Sequence, residues 1–323
     1  MKRLSERRRL TAAEFETCAG EFERSGRSGA ATTPQRTGRG VVALPRRGRG
    51  EHAPEQLAGF LPKDMPVHTR PHTETVALYA HSRRLTGDCR PPSVSSGHGR
   101  HLLTDHTWPW ILTGRVTTSD GMAGSGVLVG SRLVLTADQL RPSESIARGS
   151  WWMTFSPHFD SGADPNAPFG SSDVSDLAHY NAGRDTEYGA GHDFMLCRLF
   201  EPMGHQLGFL GATSFADDWR GLQVWHSIGY PADMGGGTRP AVRINGSVEH
   251  DHEDDNGWYI EAEASLDPGN AGGLFFSWFD DGHVRLCGVV SAAESVDGDL
   301  DHALASGDDM VSLINWGRAT WPE

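Results

Sequence analysis

Four short segments, three of them rich in glycine or containing it, hold the side chains whose types and order could do hydrolytic chemistry. They are GSGVLVGSRLVLTADQL over 124–140, HDFMLCRL over 192–199, SIGYPAD over 227–233 and DPGNAGG over 267–273. Asp193 is a carboxylate and 267–273 is a glycine-rich turn, and hydrolytic enzymes use both kinds of feature. The short apolar runs in and beside these segments have the length of β-strands, which would position them.

These segments resemble the trypsin-like serine endopeptidases, in the bacterial and fungal branch related to glutamyl endopeptidases. That family has a GSGxLIG…LTAxH strand pair, an acid-bearing strand, a GYPGD segment, and GNSGG before a GVxS strand, here Gly288–Ser291. The resemblance covers about residues 101–323, and the order of base, acid and nucleophile is the chymotrypsin order. It implies serine-type peptide-bond hydrolysis in a cleft between two six-stranded antiparallel β-barrels, with no cofactor and no metal.

Two of the three catalytic positions implied by the resemblance carry other residues. Gln139 stands at the histidine position and Ala271 at the serine position, whereas Asp193 matches the acid. A glutamine amide does not accept a proton near neutral pH, and an alanine methyl group has no oxygen with which to attack a carbonyl. Removing any triad member leaves about 10³–10⁴-fold catalysis over water. We therefore expect no useful proteolysis.

The other family positions predict that the cleft keeps the outline of a substrate site. By the resemblance, the N–H groups of Gly269 and Ala271 form the oxyanion hole, and Ser265 lies at the base of the primary specificity pocket. Ser265 is neutral, so a basic substrate side chain is not favoured. Val290 stands where glutamyl-specific relatives carry a histidine, so acidic specificity is not favoured either. The strand that contains Val290 and Ser291 is expected to pair with an extended peptide by β-augmentation.

Asp193 and its neighbours also have structural interpretations. Without a histidine partner, the Asp193 carboxylate is expected to cap local backbone amides. Gln139 is expected to hydrogen-bond Asp193 and so keep the site folded. Successive residues on a strand face opposite sides, so His192 is expected to point away from the site and not to serve as the base.

Short apolar runs between turn signals recur from about residue 101 onward and predict an all-β fold. The predicted strands are 111–118, 125–129, 132–136, 151–155, 193–200, 223–229, 241–248, 258–264, 273–278 and 284–291. We expect the first barrel over 101–203 and the second over 204–323. The spacing of Leu313, Ile314 and neighbouring apolar residues predicts a C-terminal helix that docks by one face.

Residues 1–100 differ in composition from the rest and are expected to form a disordered basic arm. Stretches such as RSGRSGAATTPQRTGRG over 24–40 cannot bury enough apolar surface to offset chain entropy. Residues 1–50 carry 12 Lys+Arg against 5 Glu, a net +7, whereas the whole chain carries −13. The overall negative charge disfavours a nucleic-acid binder.

The sequence also limits the membrane, compartment and redox interpretations. No run of about 18 apolar residues is present, so no membrane span is expected. The N-terminal residues lack the apolar core of a secretory signal, although this family is mostly secreted, so the compartment is left unassigned. The four cysteines form no CxxC pair and are expected to be free or buried thiols. Cys197 and Cys287 lie on strands assigned to different barrels and are expected not to form a disulfide.

The charged run His250–Asp255 has two interpretations. Its carboxylate and imidazole groups are ligands that calcium or zinc would accept. Charge-dense runs are more often solvated, so we expect a hairpin loop and no metal site.

Three functional hypotheses remain open. The chain is an inactive protease homologue that binds a peptide or protein ligand in the old cleft, or an active hydrolase that uses residues outside the aligned positions. The third hypothesis is an engineered or drifting inactive form of a secreted protease. The first is preferred because the base and nucleophile positions at Gln139 and Ala271 leave no recognisable relay.

Overall fold

Short strands joined by tight turns form most of the structure. The computed structural model describes residues 35–44, 56–67, 100–180, 189–254, 257–262, 270–291 and 303–321. Apart from Gln35, these residues belong to one compact unit, Arg36–Glu323. The described strands are β1 (Gly40–Leu44), β2 (Gln56–Leu57), β3 (Arg100–Leu102), β4 (Thr113–Thr118), β5 (Ala123–Gly130), β6 (Leu133–Thr136), β7 (Met153–Pro157), β8 (Ser172–Tyr180), β9 (Met195–Leu199), β10 (Gly211–Thr213), β11 (Trp225–Gly229), β12 (Ala241–Gly246), β13 (Val248–Asp254), β14 (Gly257–Ala262), β15 (Leu274–Trp278), β16 (Val284–Val290) and β17 (Ala303–Ser306). The described α-helices are α1 (Ser143–Ala147), α2 (Met203–Leu207) and α3 (Asp308–Thr320).

The first sheet closes into a six-stranded antiparallel barrel. Its strand order is β8-β7-β4-β5-β6-β9, and β9 pairs back onto β8. Gly126 on β5 allows close packing inside, because a Cβ there would lie 2.9 Å from a methyl group of Val134 and 3.0 Å from one of Val116. Strand β1 adds to the outside of this barrel, parallel to β8. The prediction of a six-stranded antiparallel barrel is confirmed.

The second sheet contains ten described strands. Its main path is β13-β14-β17-β16-β15-β11-β12-β3, while β10 pairs with both β16 and β2. An aromatic cluster fills part of its core, in which Trp225 stacks on Phe275 at 5.2 Å between ring centroids. The sheet is larger than the predicted six strands partly because β2 and β3 come from sequence before the predicted second barrel. Arg100–Leu102 thus pairs with β12 of the second sheet.

Helix α3 is the C-terminal helix that the apolar spacing predicts. Its apolar face, which includes Leu313 and Ile314, is completely buried. Asp308 and Asp309 lie in the first turn, where their negative charges interact favourably with the positive end of the helix dipole. Near the other end, the Arg318 guanidinium donates hydrogen bonds to the carbonyls of Val129 in β5, of Ala58 beside β2 and of Leu210 beside β10, which join the helix to both sheets. None of the described helices is long and apolar enough to cross a membrane.

Two parts of the predicted disordered arm are ordered strands. Strand β1 forms five register pairs with β8, and β2 pairs with β10. The sequence Val-Val-Ala-Leu at 41–44 has the β propensity that the surrounding Arg- and Gly-rich composition conceals. The expectation of an arm without structure up to residue 100 is therefore wrong for these segments, and most of the remaining arm lies outside the described residues.

The charged run at 250–255 is also a strand, not a loop. Residues 248–254 form β13, which pairs antiparallel with β14, and residues 255 and 256 lie outside the described part of the chain. Strand β13 ends the main path of the sheet, and charged residues are common on such edge strands because they discourage further pairing.

The described cysteines agree with the sequence prediction. Cys197 on β9 and Cys287 on β16 are both free and buried. Burial raises the pKa of both thiols, so neither is poised to act as a thiolate nucleophile.

A buried histidine in the first barrel makes stability dependent on pH. His158 follows β7, has a left-handed backbone with φ of 48°, and is 1% exposed. Burial, together with the His106 ring 4.4 Å away between centroids, lowers the pKa of His158 to about 4. The unfolded imidazole titrates near pH 6.5, so between these two values the unfolded chain binds the extra proton.

We predict that acid destabilises the protein through His158. The stability present above about pH 6.5 should fall as the pH drops toward 4, by ~2 kcal/mol at about pH 5. The variant His158→Asn tolerates the left-handed backbone and should lack this part of the pH dependence. Urea unfolding of both proteins at about pH 7.5 and pH 5 measures it. An equal loss of stability in the two proteins would contradict this assignment.

Candidate functional site

The centre of the candidate site is the carboxylate of Asp193, which accepts three hydrogen bonds. The Gln139 backbone N–H donates to Oδ1 at 2.8 Å, and the Gln139 side-chain Nε2 donates to Oδ2 at 2.7 Å. The Ser291 Oγ donates to Oδ2 at 2.7 Å. Asp193 and Gln139 lie on the first barrel and Ser291 follows β16 of the second sheet, so this carboxylate joins the two sheets.

The hydrogen bond between Gln139 and Asp193 is the one that the sequence predicts. The expected capping of local amides is wrong in detail, because the backbone donor is 54 residues away in sequence. The carboxylate is therefore structural through long-range contacts. A carboxylate with three donors directed at it is well satisfied when ionised.

Gln139 is placed by a single 3-10 turn, Asp138–Leu140, which directly follows β6. The turn is fixed by an ion pair from Arg141 Nε to Asp138 Oδ1 at 3.1 Å. His179 on β8 approaches the same pair, with its Nε2 2.9 Å from an Arg141 guanidinium nitrogen. These contacts tie the turn that carries Gln139 to β8 of the first barrel.

The second part of the site is the tight turn that contains Ala271. The Ala271 carbonyl accepts a hydrogen bond from the Ser125 N–H at 2.8 Å, and the Gly273 N–H bonds the Asn270 carbonyl at 2.7 Å. Gly272 has φ of +80°, and a Cβ there would overlap the carbonyl of Ser125. The glycine is therefore required by both backbone conformation and close packing. Ala271 itself is 9% exposed.

Ser125 is a site residue that the sequence interpretation does not single out. Besides binding Ala271, its carbonyl accepts from Thr136 Oγ1 at 2.6 Å and its Oγ accepts from the Tyr230 N–H at 2.9 Å. Ser125 thus joins β5, β6, the GYP segment and the Ala271 turn. The sequence feature that could have identified Ser125 is its position within the GSG motif at 124–126.

A second missed contact involves Gly229 of the GYP segment. A Cβ at Gly229 would overlap the side-chain oxygen of Asn270, which is 2% exposed. Gly229 therefore makes room for Asn270, and Asn270 in turn supports the turn that holds Ala271. Both residues lie in motifs that the sequence resemblance brings together, but their direct contact could not be inferred from spacing.

Strand β16 supports the site but does not offer a free edge over Gly288–Val290. It pairs with β15 on one side and with β17 on the other. Val290 is completely buried; its N–H donates to the Gly273 carbonyl at 2.8 Å and its carbonyl accepts from Gly272 at 2.9 Å. The expected β-augmentation along this stretch is therefore wrong, because β17 occupies the edge.

Two predicted site residues lie outside the described part of the chain. These are Ser265, assigned to the specificity pocket, and Gly269, assigned to the oxyanion hole. The predicted oxyanion-hole N–H of Ala271 has no hydrogen-bond acceptor among the described residues.

His192 points away from the site, as predicted, but it ends the 3-10 helix Gly189–His192 and does not lie on a strand, so strand alternation is not the reason. Its Nε2 lies 2.7 Å from Asp309 Oδ2 at the start of α3, and its ring packs against Tyr180 and Phe194. The residue is 6% exposed. It is committed to anchoring the C-terminal helix and does not stand in for the missing base.

The electrostatics of the site favour a proton on Asp193 more than usual. Burial raises the pKa of Asp193, and the nearby negative charge of Asp138 acts in the same direction. The hydrogen bonds from Ser291 and Gln139 oppose this shift because they favour the ionised form. The donors of Gln139 therefore compensate for part of the desolvation of the carboxylate.

The described residues include no group of three or more His, Cys, Asp or Glu side chains that could hold a metal ion. In chemical terms, the arrangement contains the hydrogen-bonded carboxylate of Asp193, the neutral amide of Gln139 and the methyl group of Ala271. It can position backbone groups around a ligand, but it has no activated nucleophile among these residues.

We predict that removing the Gln139 amide destabilises the fold in a pH-dependent way. Gln139→Met keeps the length but removes one donor to the ionised Asp193, so it should cost ~1.5–3 kcal/mol. The loss should be largest where Asp193 is ionised and shrink in acid, because the protonated carboxyl needs this donor less. Urea unfolding at about pH 8 and pH 5 gives both values. The same loss at both pH values would show that packing, and not the hydrogen bond, is responsible.

Comparison with solved structures agrees with this architecture. A Glu endopeptidase solved in complex with MPD has a TM-score of 0.56 at 18% identity, covering 70% of this chain and 99% of that one. Human heparin binding protein has a TM-score of 0.50 at 13% identity, covering 70% and 97%. The protease Anisep from Arthrobacter nicotinovorans has a TM-score of 0.49 at 18% identity, covering 68% and 100%. No protein-family model and no curated protein matches the sequence. The closed barrel, the second sheet and the C-terminal helix together give this chain the chymotrypsin-like fold of the trypsin-like serine proteases.

Proposed function

We propose that this chain is a trypsin-like serine protease homologue that has lost hydrolytic activity and acts by binding a peptide or protein in the old cleft. The observation that carries the proposal is the hydrogen bond from Gln139 Nε2 to Asp193 Oδ2 at 2.7 Å. An amide takes the place from which an imidazole would accept a proton. Asp193 therefore holds a neutral side chain that has no general-base function.

Ala271 supports the same conclusion from the nucleophile side. The turn around it is fixed by the bonds from Ser125 and within Asn270–Gly273, so the backbone is in place while the side-chain oxygen is absent. Catalysis by the remaining parts would amount to about 10³–10⁴-fold over water. The histidine and the serine beside the site already have other hydrogen-bond partners among the described residues. His192 binds Asp309, and Ser291 donates to Asp193.

We further propose that the chain derives from the bacterial and fungal branch related to glutamyl endopeptidases, on the strength of the GSGVLVG, GYPAD and GNAGG motifs. We do not propose that the cleft selects acidic side chains of a substrate. Val290, at the position of the family's histidine, is apolar and completely buried.

Restoring two side chains should restore activity. We predict that Gln139→His with Ala271→Ser hydrolyses peptide esters or casein measurably, whereas the wild type and both single variants do not. Triad members act as a unit, so neither change alone should help much. The restored activity is expected to be weak, because a displacement of about 1 Å in an unselected cleft costs roughly 10²-fold.

A serine-directed inhibitor provides the control for this experiment. The activity of the double variant should disappear after fluorophosphonate treatment. Turnover by the wild type would contradict the proposed loss of activity. A folded double variant without any turnover would contradict the view that the scaffold around Ala271 has remained competent.

The ligand part of the proposal has a separate test. A proteolytic digest of casein supplies a broad set of peptides as the probe. We predict that immobilised wild type retains a subset of these peptides and that Ala271→Phe, which fills the nucleophile turn, loses this subset. A variant with unchanged thermal stability that retains the same peptides would contradict binding in the cleft.

A further inference from the structure

The outer edge of the first barrel holds an extended segment, Arg36–Gly40, by regular backbone contacts. The Arg36 N–H donates to Asp173 Oδ2 at 2.6 Å. The Gly38 N–H donates to the Trp151 carbonyl at 2.8 Å, and the Arg39 N–H to the Ser175 carbonyl at 2.6 Å. The segment runs directly into β1, so it is bound in the manner of an added strand.

The two arginine side chains of this segment meet on one aromatic ring. The Cζ of Arg36 lies 5.0 Å, and that of Arg39 4.8 Å, from the ring centroid of Phe200. Arg36 Nη1 also lies 3.2 Å from Glu201 Oε1. Cation–π contacts and a neighbouring carboxylate are a binding environment that suits guanidinium groups.

The glycine between the arginines is required by shape. Gly38 lies on the indole of Trp151, a side chain that is 5% exposed, and a Cβ at position 38 would overlap the ring. Gly40 is also confined, since a Cβ there would lie 3.0 Å from Asp176 Oδ1. The seated segment therefore needs glycine at position 38 and a small residue at position 40.

The same pattern occurs three times in the chain. The copies are RSGRS at 24–28, RTGRG at 36–40 and RRGRG at 46–50. Each has arginine at its first and fourth positions, glycine at its third, and serine or glycine at its fifth. The contacts of the first barrel account for the middle copy alone.

We propose that Trp151, Asp173, Phe200 and Glu201 form a recognition groove for Arg-X-Gly-Arg segments, here called the arginine–glycine groove, and that residues 24–28 of a second copy of this chain are its further ligand. In the intact molecule residues 36–40 fill the groove with the advantage of a tethered ligand. A second copy binds when that segment is displaced or disabled, which makes the groove a site of strand exchange between chains.

The residues that follow each copy favour 24–28 over 46–50 as this ligand. After residue 28 comes Gly-Ala-Ala-Thr, small residues that can follow the path of β1 along β8. After residue 50 comes Glu-His-Ala-Pro, which places a proline at the register position of Leu44. Proline has no N–H to donate to a neighbouring strand.

The test uses full-length chains as donor and acceptor. The acceptor is a fluorescently labelled Gly26→Val/Gly38→Val/Gly48→Val variant, in which valine at each third position prevents its own copies from seating on Trp151. The donors are the wild type, Gly26→Val and, as a matched control, Gly48→Val. Fluorescence anisotropy should show that the wild type and Gly48→Val donors bind the acceptor. The affinity of the Gly26→Val donor should be lower by a factor of about ten or more.

Two results would overturn the proposal. One is the absence of association between the acceptor and the wild type, and the other is equal association with the Gly26→Val donor. If circular dichroism shows that the acceptor is misfolded, Gly26→Val/Arg36→Ala/Arg39→Ala/Gly48→Val replaces it, because this variant keeps Gly38, weakens the arginine contacts of residues 36–40 and still disables the other two copies. A synthetic peptide of residues 24–32 should then bind it, and the same peptide with valine for Gly26 should not. Equal binding of the two peptides refutes the groove.

Discussion

The site and the junction of the two sheets depend on the hydrogen bonds that the Asp193 carboxylate accepts. This carboxylate accepts from Gln139 on the first barrel and from Ser291 after β16 of the second sheet. Even a partly buried carboxylate such as that of Asp193 is unfavourable unless donors surround it. The side chains around Asp193 are therefore under a physical constraint that does not require catalysis.

Glutamine suits this constraint better than most replacements for a histidine. Its Nε2 donates to the carboxylate with an approach similar to that of an imidazole N–H, but it introduces no titratable group. The Ala271 turn follows the same logic. Gly272, Gly229 and Ser125 hold one another by close backbone approaches that are independent of the side chain at position 271. Chemistry can thus be lost from this architecture while its packing remains.

The sequence predicts the parts of the structure in which local pattern and packing agree. Strands β5 and β6 are short buried runs joined by a turn, as the sequence predicts. Gln139 and Asp193 also form the hydrogen bond that the sequence predicts. Strand β8, with the sequence SDVSDLAHY, is not predicted because its polar residues interrupt the apolar pattern. Two of those residues, Asp173 and Asp176, lie along the N-terminal segment that β8 binds, so their role depends on a contact more than a hundred residues away.

The same kind of long-range contact explains the other differences. Strand β16 was expected to receive a peptide, but its edge is covered by β17, which follows residues that carry little strand signal. Strand β1 lies in a basic arm, where composition averaged over a window conceals two adjacent valines, Val41 and Val42, with high β propensity. Spacing predicts which residues approach a site, whereas the partner on the far edge of a strand depends on topology.

The most direct test of the central claim is the reaction of the wild-type protein with a fluorophosphonate probe. Intact-mass measurement after incubation, with trypsin as a positive control, reports whether any serine is activated. The amide at Gln139 and the methyl group at Ala271 predict that the mass of the protein does not change. A stoichiometric adduct on any serine would contradict the account, since it would require a working base that the arrangement around Asp193 does not contain.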